Sequence, residues 1–265
     1  MKRREFLKAA ATSMAAVAIS PAAVAQPAGA TFLVCTGAWS AGWSWKKMHP
    51  LMAAAGHRLV VPTYTGLGER EHLASPSNDL ETHIQDIVSV IKYEDLRDIV
   101  LVGHSYGGMV ATGVADRARD RIVRSIYLDA FVPTDGQSLM DANPPAMRQR
   151  MQELAKAGDG WRVPSNPIPS DTSEADVKWI SERRLPQSIK CFDQPLKMRG
   201  GELTLPRSYV YFTRIVPADP FRPFAERAKN NTGWQYYELD SSHSAHVTAP
   251  EALAGLLQTI VSRST

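Results

Sequence analysis

Ser105 is the residue of this chain best set for nucleophilic chemistry. It stands in Gly103-His104-Ser105-Tyr106-Gly107-Gly108, directly after the apolar run Ile99-Val100-Leu101-Val102 and directly before Met109-Val110-Ala111-Thr112-Gly113-Val114-Ala115. A Gly-x-Ser-x-Gly between a strand and a helix makes a sharp turn that lifts the serine hydroxyl clear of the sheet, and small flanking residues permit that turn. So short a motif means little alone and would otherwise read as an ordinary Gly-rich loop. The strand before it and the helix after it give it chemical meaning.

A serine hydroxyl needs a base to take its proton, and the base needs an acid to hold it in one tautomer. Among the seven histidines, His243 in Asp240-Ser241-Ser242-His243-Ser244-Ala245-His246-Val247-Thr248-Ala249-Pro250 is the expected base, with His246 as its close competitor. His104 is expected to support the turn at Ser105, and His49, His57, His72 and His83 to be surface or packing residues. Asp129 is the expected acid, with Asp219 as the alternative. Asp129 closes an apolar segment, Leu128-Asp129-Ala130-Phe131-Val132-Pro133, where an unpaired carboxylate would be costly to bury. Asp219 lies six residues past Thr213, so its loop must bend back to reach an imidazole.

An oxyanion developing on the substrate needs two preorganised donors. The backbone N–H of Tyr106, next to the nucleophile, is expected to be one, and that of Ala38 in Gly37-Ala38-Trp39 the other. Trp39 and Trp43 are candidates to line the substrate pocket, with Trp45 beside them; packing of the helix that follows is the competing role. No Cys or His spacing suits a metal, and no cofactor is implied.

The elements that must carry these groups alternate. Thr31–Thr36 and His57–Val61 read as strands buried on both faces, separated by a helix within Trp45–Ala55 that must accommodate Pro50. Asp79 caps a helix whose Leu80, Ile84, Ile87, Val88 and Ile91 fall at helical spacing. The strand leading to Ser105 and its helix are followed by another strand over Ile122–Ala130. From Pro133 to about Leu205 the alternation breaks, as Pro and Gly interrupt short helical pieces, and residues 134–205 are expected to form a lid. It resumes with a strand at Ser208–Thr213, a helix at Pro220–Lys229, a strand at Gln235–Leu239 and a helix at Pro250–Val261. Strands and helices in alternation imply a parallel sheet covered on both sides.

A chain of 265 residues with 44% hydrophobic residues suits one large α/β domain. Its first segment stands apart. Lys2-Arg3-Arg4-Glu5-Phe6-Leu7-Lys8 precedes an Ala-rich run ending Ala23-Val24-Ala25, the pattern of a twin-arginine-like export signal over residues 1–25 that leaves a mature domain from Gln26 to Thr265. A membrane anchor is the alternative, for which the apolar part is short. The segment's four cations against one carboxylate account for the whole chain's net charge of +3, so the mature domain is near neutral. Neither nucleic-acid binding nor stable membrane association follows from such a balance, and a periplasmic or secreted location is expected. Cys35 and Cys191 are the only cysteines; they could pair in an oxidising compartment, yet Cys35 lies within a central strand, where a buried free thiol is common.

With these parts placed, the chain resembles the α/β-hydrolase superfamily, in the branch of plant hydroxynitrile lyases, methyl-ester esterases and bacterial pyrethroid or carbamate esterases. The resemblance runs over residues 31–262 through Gly37-Ala38-Trp39-Ser40-Ala41-Gly42-Trp43, Pro62-Thr63-Tyr64-Thr65-Gly66-Leu67-Gly68-Glu69-Arg70, the Ser105 turn, the Asp129 segment and the His243 loop. It implies a mostly parallel six-stranded sheet with helices on both faces and a lid inserted after the strand that follows the nucleophile. It also implies the chain order of serine, acid and histidine, with the acid usually after the strand that follows the lid and in some members after the strand next to the nucleophile. Two departures stand out. Relatives usually carry His-Gly at Thr36-Gly37, and hydroxynitrile lyases carry a lysine where this chain has Ser244. The implied activity is therefore hydrolysis of small, largely apolar carboxylic esters through an acyl-enzyme; a hydroxynitrile lyase and a non-catalytic binding protein on the same fold are the alternatives.

Overall fold

Side chains alternate across a strand, so an unbroken apolar run serves two cores at once. The computed structural model of the protein describes residues 29–201, 203–214 and 219–263. In chain order its elements are β1 (Thr31–Cys35), α1 (Met48–Ala54), β2 (Arg58–Val60), α2 (Leu80–Tyr93), β3 (Ile99–His104), α3 (Gly107–Arg117) and β4 (Ile122–Leu128). There follow α4 (Pro145–Ala157), β5 (Arg162–Val163), α5 (Glu174–Ser181), β6 (Gln187–Ser188) and α6 (Lys190–Asp193). The chain closes with β7 (Arg207–Phe212), α7 (Arg222–Lys229), β8 (Trp234–Leu239), α8 (Ala245–Thr248) and α9 (Pro250–Ser262).

Six strands form one sheet in the order β2-β1-β3-β4-β7-β8, every neighbouring pair parallel. Phe32 and Val34 of β1, Val100 and Val102 of β3 and Ile126 and Leu128 of β4 pack with Met48 and Met52 of α1 and Leu253, Leu257 and Ile260 of α9. On the opposite face Leu33, Leu101 and Tyr127 pack with α2, α3 and α7. The central strands β1, β3 and β4 therefore have no solvent face over most of their length. Their carboxyl ends converge on one rim, where α/β sheets collect functional groups.

Local signals account for the boundaries. Asp79 Oδ1 accepts from the Thr82 N–H at 2.8 Å while the Thr82 hydroxyl accepts from the Asp79 N–H, a reciprocal cap at the start of α2. Pro50 is the third residue of α1, inside the first turn, where its missing N–H has no intrahelical partner to lose. Two expectations change. The second strand is not buried on both faces: β2 is an edge strand paired only with β1, and Arg58 is exposed. The strand after the Ser105 helix stops at Leu128, because Asp129 turns away with φ of 42°.

The segment between β4 and β7 carries α4, α5 and α6 and a small antiparallel pair in which Arg162 faces Ser188 and Val163 faces Gln187. Cys35 and Cys191 are both buried and free. Among the described residues no helix is long and apolar enough to cross a membrane. The export signal expected at residues 1–25, with its cut before Gln26, lies outside the described residues.

Candidate active site

The turn at Ser105 is built by close approach. A Cβ on Gly107 would stand 2.0 Å from the Cys35 carbonyl oxygen, and one on Gly103 would meet Ala111, Gly107 and Gly108 at 2.9 Å, so only glycines let α3 start against β1 and β3. Ser105 itself has φ of 56°, a left-handed conformation unusual outside glycine and typical of strained functional turns. Its backbone is tied on both sides: the Ser105 N–H donates to Leu128 O at 3.3 Å, and its carbonyl accepts from the Phe131 N–H at 3.2 Å. The residue remains partly exposed at the sheet rim.

The same backbone bonds bring Asp129 to the rim. Asp129 directly follows Leu128, its N–H donates to Val210 O at 2.8 Å, and its side chain is 7% exposed. His243 Nδ1 lies 2.7 Å from Asp129 Oδ2. A carboxylate can only accept, so Nδ1 carries the proton and donates it, which leaves the Nε2 lone pair free to act as a base. Burial pushes the Asp129 carboxyl up, and the hydrogen bond and charge of His243 pull it back down. Phe212 N–H, at 3.5 Å from Oδ1, adds a weak second donor.

Asp219 does other work. Its Oδ2 accepts from the Tyr211 hydroxyl at 2.6 Å and its Oδ1 from the N–H groups of Phe221 and Arg222 at 2.9 and 3.3 Å, which fixes the turn into α7. That turn presents the Phe221 ring, which stacks on the His243 imidazole with centroids 4.7 Å apart and planes 9° apart. Asp219 thus reaches His243 only through Phe221, whose contact depends on a loop path that no local sequence pattern announces.

The remaining histidines divide cleanly. His104 Nε2 lies 2.8 Å from the carbonyl oxygen of His243, so it must donate, and the base's own main chain is held by the strand that delivers the nucleophile. Burial keeps His104 well below the ordinary histidine range, with the neighbouring His243 and His246 pushing the same way. His246 is fully packed, stacked on Trp45 at 4.8 Å, and lowered to about 3 by burial, so it is a neutral core group and the Asp129 contact belongs to His243 alone. His83, lowered to about 4 mainly by burial, donates through Nε2 to Thr65 O at 3.2 Å and accepts the Tyr106 hydroxyl at Nδ1 at 2.9 Å. His57 accepts from the Ala30 N–H at 3.1 Å, while His49 and His72 are exposed.

With its hydroxyl anchored on His83, Tyr106 leaves its backbone N–H at the turn, and among the described residues that N–H donates to no protein acceptor. The Ala38 N–H is in the same condition. The loop that carries it crosses the nucleophile closely, since a Cβ on Gly37 would lie 3.4 Å from Ser105 Cβ. Trp39 follows with φ of 58°, a conformation that costs about 1–3 kcal/mol for a bulky residue. Two hydrogen bonds of about 1 kcal/mol each offset much of that: its N–H donates to Gln187 Oε1 at 2.8 Å and its indole N–H to Val163 O at 2.9 Å. Trp43 meets Trp179 of α5 edge-on, centroids 5.1 Å apart. Both tryptophans stand where the inserted segment meets the sheet, and Trp45 is entirely buried beneath. Among the described residues no group of three His, Cys, Asp or Glu is arranged to hold a metal ion.

Comparison with known proteins places this arrangement in context. Residues 32–256 match the alpha/beta hydrolase family. A carbendazim hydrolyzing esterase from a Nocardioides strain is 38% identical over 234 residues, spanning 85% of this chain and 97% of its own. An extracellular alpha/beta-hydrolase from a Paenibacillus species, described as sharing structural and functional homology with tobacco salicylic acid binding protein 2, superposes with a TM-score of 0.78 at 25% identity over 87% of this chain and 98% of its own. A pyrethroid hydrolase from Sphingobium faniae has the same fold, with a TM-score of 0.67 at 21% identity over 88% and 97% of the two chains.

Proposed function

The chain belongs to the alpha/beta hydrolase family, and from that premise we propose that it hydrolyses small, largely apolar carboxylic esters, methyl carbamates among them, through a covalent acyl-enzyme. The observation that carries this reading is the 2.7 Å contact between His243 Nδ1 and the buried Asp129, made beside the left-handed turn that presents Ser105. His243 Nε2 takes the Ser105 proton as Oγ bonds to the acyl carbon. The oxyanion is received by the N–H groups of Ala38 and Tyr106, and collapse expels the alcohol, which takes its proton from His243. Water then adds with His243 again as base, and the acid leaves Ser105 free. No cofactor takes part in this sequence.

The relative that hydrolyses carbendazim, itself a methyl carbamate, supports carbamates as members of the substrate class. Ser244, buried next to His243, brings no ammonium group to the site, which favours ester hydrolysis over cyanohydrin cleavage. Residues 134–205 act as a lid in this reading, with Trp39 and Trp43 at the junction where a substrate enters. The purified enzyme should release butyrate and p-nitrophenol in equal amounts from p-nitrophenyl butyrate, methanol with amine and CO2 from a methyl carbamate, and no cyanide from an aromatic cyanohydrin. Cyanide release without ester turnover would overturn the assignment.

We also propose export to the periplasm or beyond, directed by residues 1–25. Support comes from the charged head, the short apolar run and the Ala23-Val24-Ala25 end. Changing Arg3 and Arg4 together to lysine should leave the full-length enzyme in the cytoplasm; unaltered export would sink the twin-arginine assignment.

A further inference from the structure

Trp39 is held by the inserted segment at a single strand pair. Its backbone N–H donates to Gln187 Oε1 at 2.8 Å and its indole N–H to Val163 O at 2.9 Å, and Val163 and Gln187 face each other across β5 and β6. Phe192 of α6 adds a third contact, with its ring centroid 5.5 Å from that of Trp39 and 5.6 Å from that of Tyr106. The segment therefore touches both residues on which the oxyanion donors depend: Trp39, which follows Ala38, and Tyr106. Gln187 is 3% exposed, so its amide is committed to this place rather than to solvent.

The peptide linking Ala38 to Trp39 fixes what the clamp achieves. A bulky residue at φ of 58° relaxes unless something holds it, and relaxation about that bond turns the preceding peptide, which carries the Ala38 carbonyl and the Trp39 N–H and through the Ala38 Cα bears on the set of the Ala38 N–H. With the Trp39 N–H taken up by Gln187, the Ala38 N–H is a donor of this loop with no protein acceptor among the described residues. The sheet alone does not provide this: β1 ends at Cys35, before the loop begins. Nor does Gln187 serve an equivalent purpose elsewhere, because its Nε2 has no hydrogen-bond partner of good geometry among the described residues.

We propose that Gln187 is a positioning residue for the oxyanion hole: by accepting the Trp39 N–H it aligns the Ala38 N–H with the transition state, so that the inserted segment completes the catalytic machinery as well as covering it. This rests on the esterase reading of Ser105. Since a donor aligned on the transition state stabilises it more than the bound ester, the signature is a loss in kcat with KM nearly unchanged.

The test uses the purified enzyme with p-nitrophenyl butyrate and an aryl trifluoromethyl ketone, whose carbonyl adds the Ser105 hydroxyl to give a tetrahedral oxyanion. Gln187→Met, which keeps the length and removes the acceptor, should lower kcat by about 10- to 100-fold and weaken the ketone by the same factor, with KM altered less than threefold. Gln187→Glu, which keeps an acceptor oxygen for the Trp39 N–H at the cost of burying a carboxyl group, should retain a kcat above that of Gln187→Met. Should Gln187→Met fail to fold, Trp39→Phe removes the indole tether and should show the same joint loss in kcat and ketone affinity. Unchanged kcat in a folded Gln187→Met, or a fall in kcat without weaker ketone binding, overturns the inference. Ser105→Ala run alongside separates the two levels: if it keeps full turnover the esterase reading itself fails, whereas an inactive Ser105→Ala with a fully active Gln187→Met removes only the role given to Gln187.

Discussion

Ser105→Ala should lower turnover of an aryl ester by about 10⁶-fold, the scale set by removing the nucleophile from other serine hydrolases. The residual rate would come from the oxyanion donors and binding, which the substitution leaves in place. Stability should move little, by less than about 0.5 kcal/mol, because the hydroxyl is partly exposed and alanine tolerates φ of 56° as poorly as serine does. The two readouts are therefore separable. Steady-state kinetics together with labelling by a fluorophosphonate measure the effect; turnover within tenfold of the parent, or a label that persists on the variant, would exclude Ser105 as the nucleophile.

The second large effect belongs to the acid. Asp129→Asn preserves shape but offers an N–H₂ to His243 Nδ1, which drives the ring proton to Nε2 and takes away the lone pair that must receive the serine proton. A loss of about 10⁴-fold in kcat follows. Asp219→Asn should cost less than about tenfold, since an amide oxygen still accepts from the Phe221 and Arg222 N–H groups and the Phe221 ring stays on His243. Equal damage from both substitutions, or greater damage at Asp219, would reverse the assignment.

These two experiments bear on residues of unequal legibility. Ser105 was readable because the signals that mark it are local: glycines within two positions, an apolar strand before and a helix after. The sheet was readable for the same reason, since Phe32 to Val34 and Val100 to Val102 are apolar on both faces and only a covered parallel strand tolerates that. The strand at Arg58 misled because an apolar run of three residues looks alike at an edge and at a centre, and only its neighbours decide.

Choosing between Asp129 and Asp219 exceeded what spacing can provide. Asp129 is separated from His243 by 114 positions, and their meeting depends on β7 lying between β4 and β8, a matter of strand order rather than of any local pattern. Gln187 was harder still. Its side chain is ordinary in composition, it sits in a stretch broken by prolines, and its partner Trp39 is 148 positions away. His246 shows the opposite failure, where a residue type suited to chemistry is occupied by packing on Trp45.

The position of Asp129 at the end of β4 ties it to the Ser105 turn. Because Asp129 leaves the sheet one residue after the carbonyl that receives the Ser105 N–H, Ser105 and Asp129 share a common anchor on adjacent strands. A strand slip that parted the two groups would have to break this bond first, so their spacing is as secure as the sheet itself.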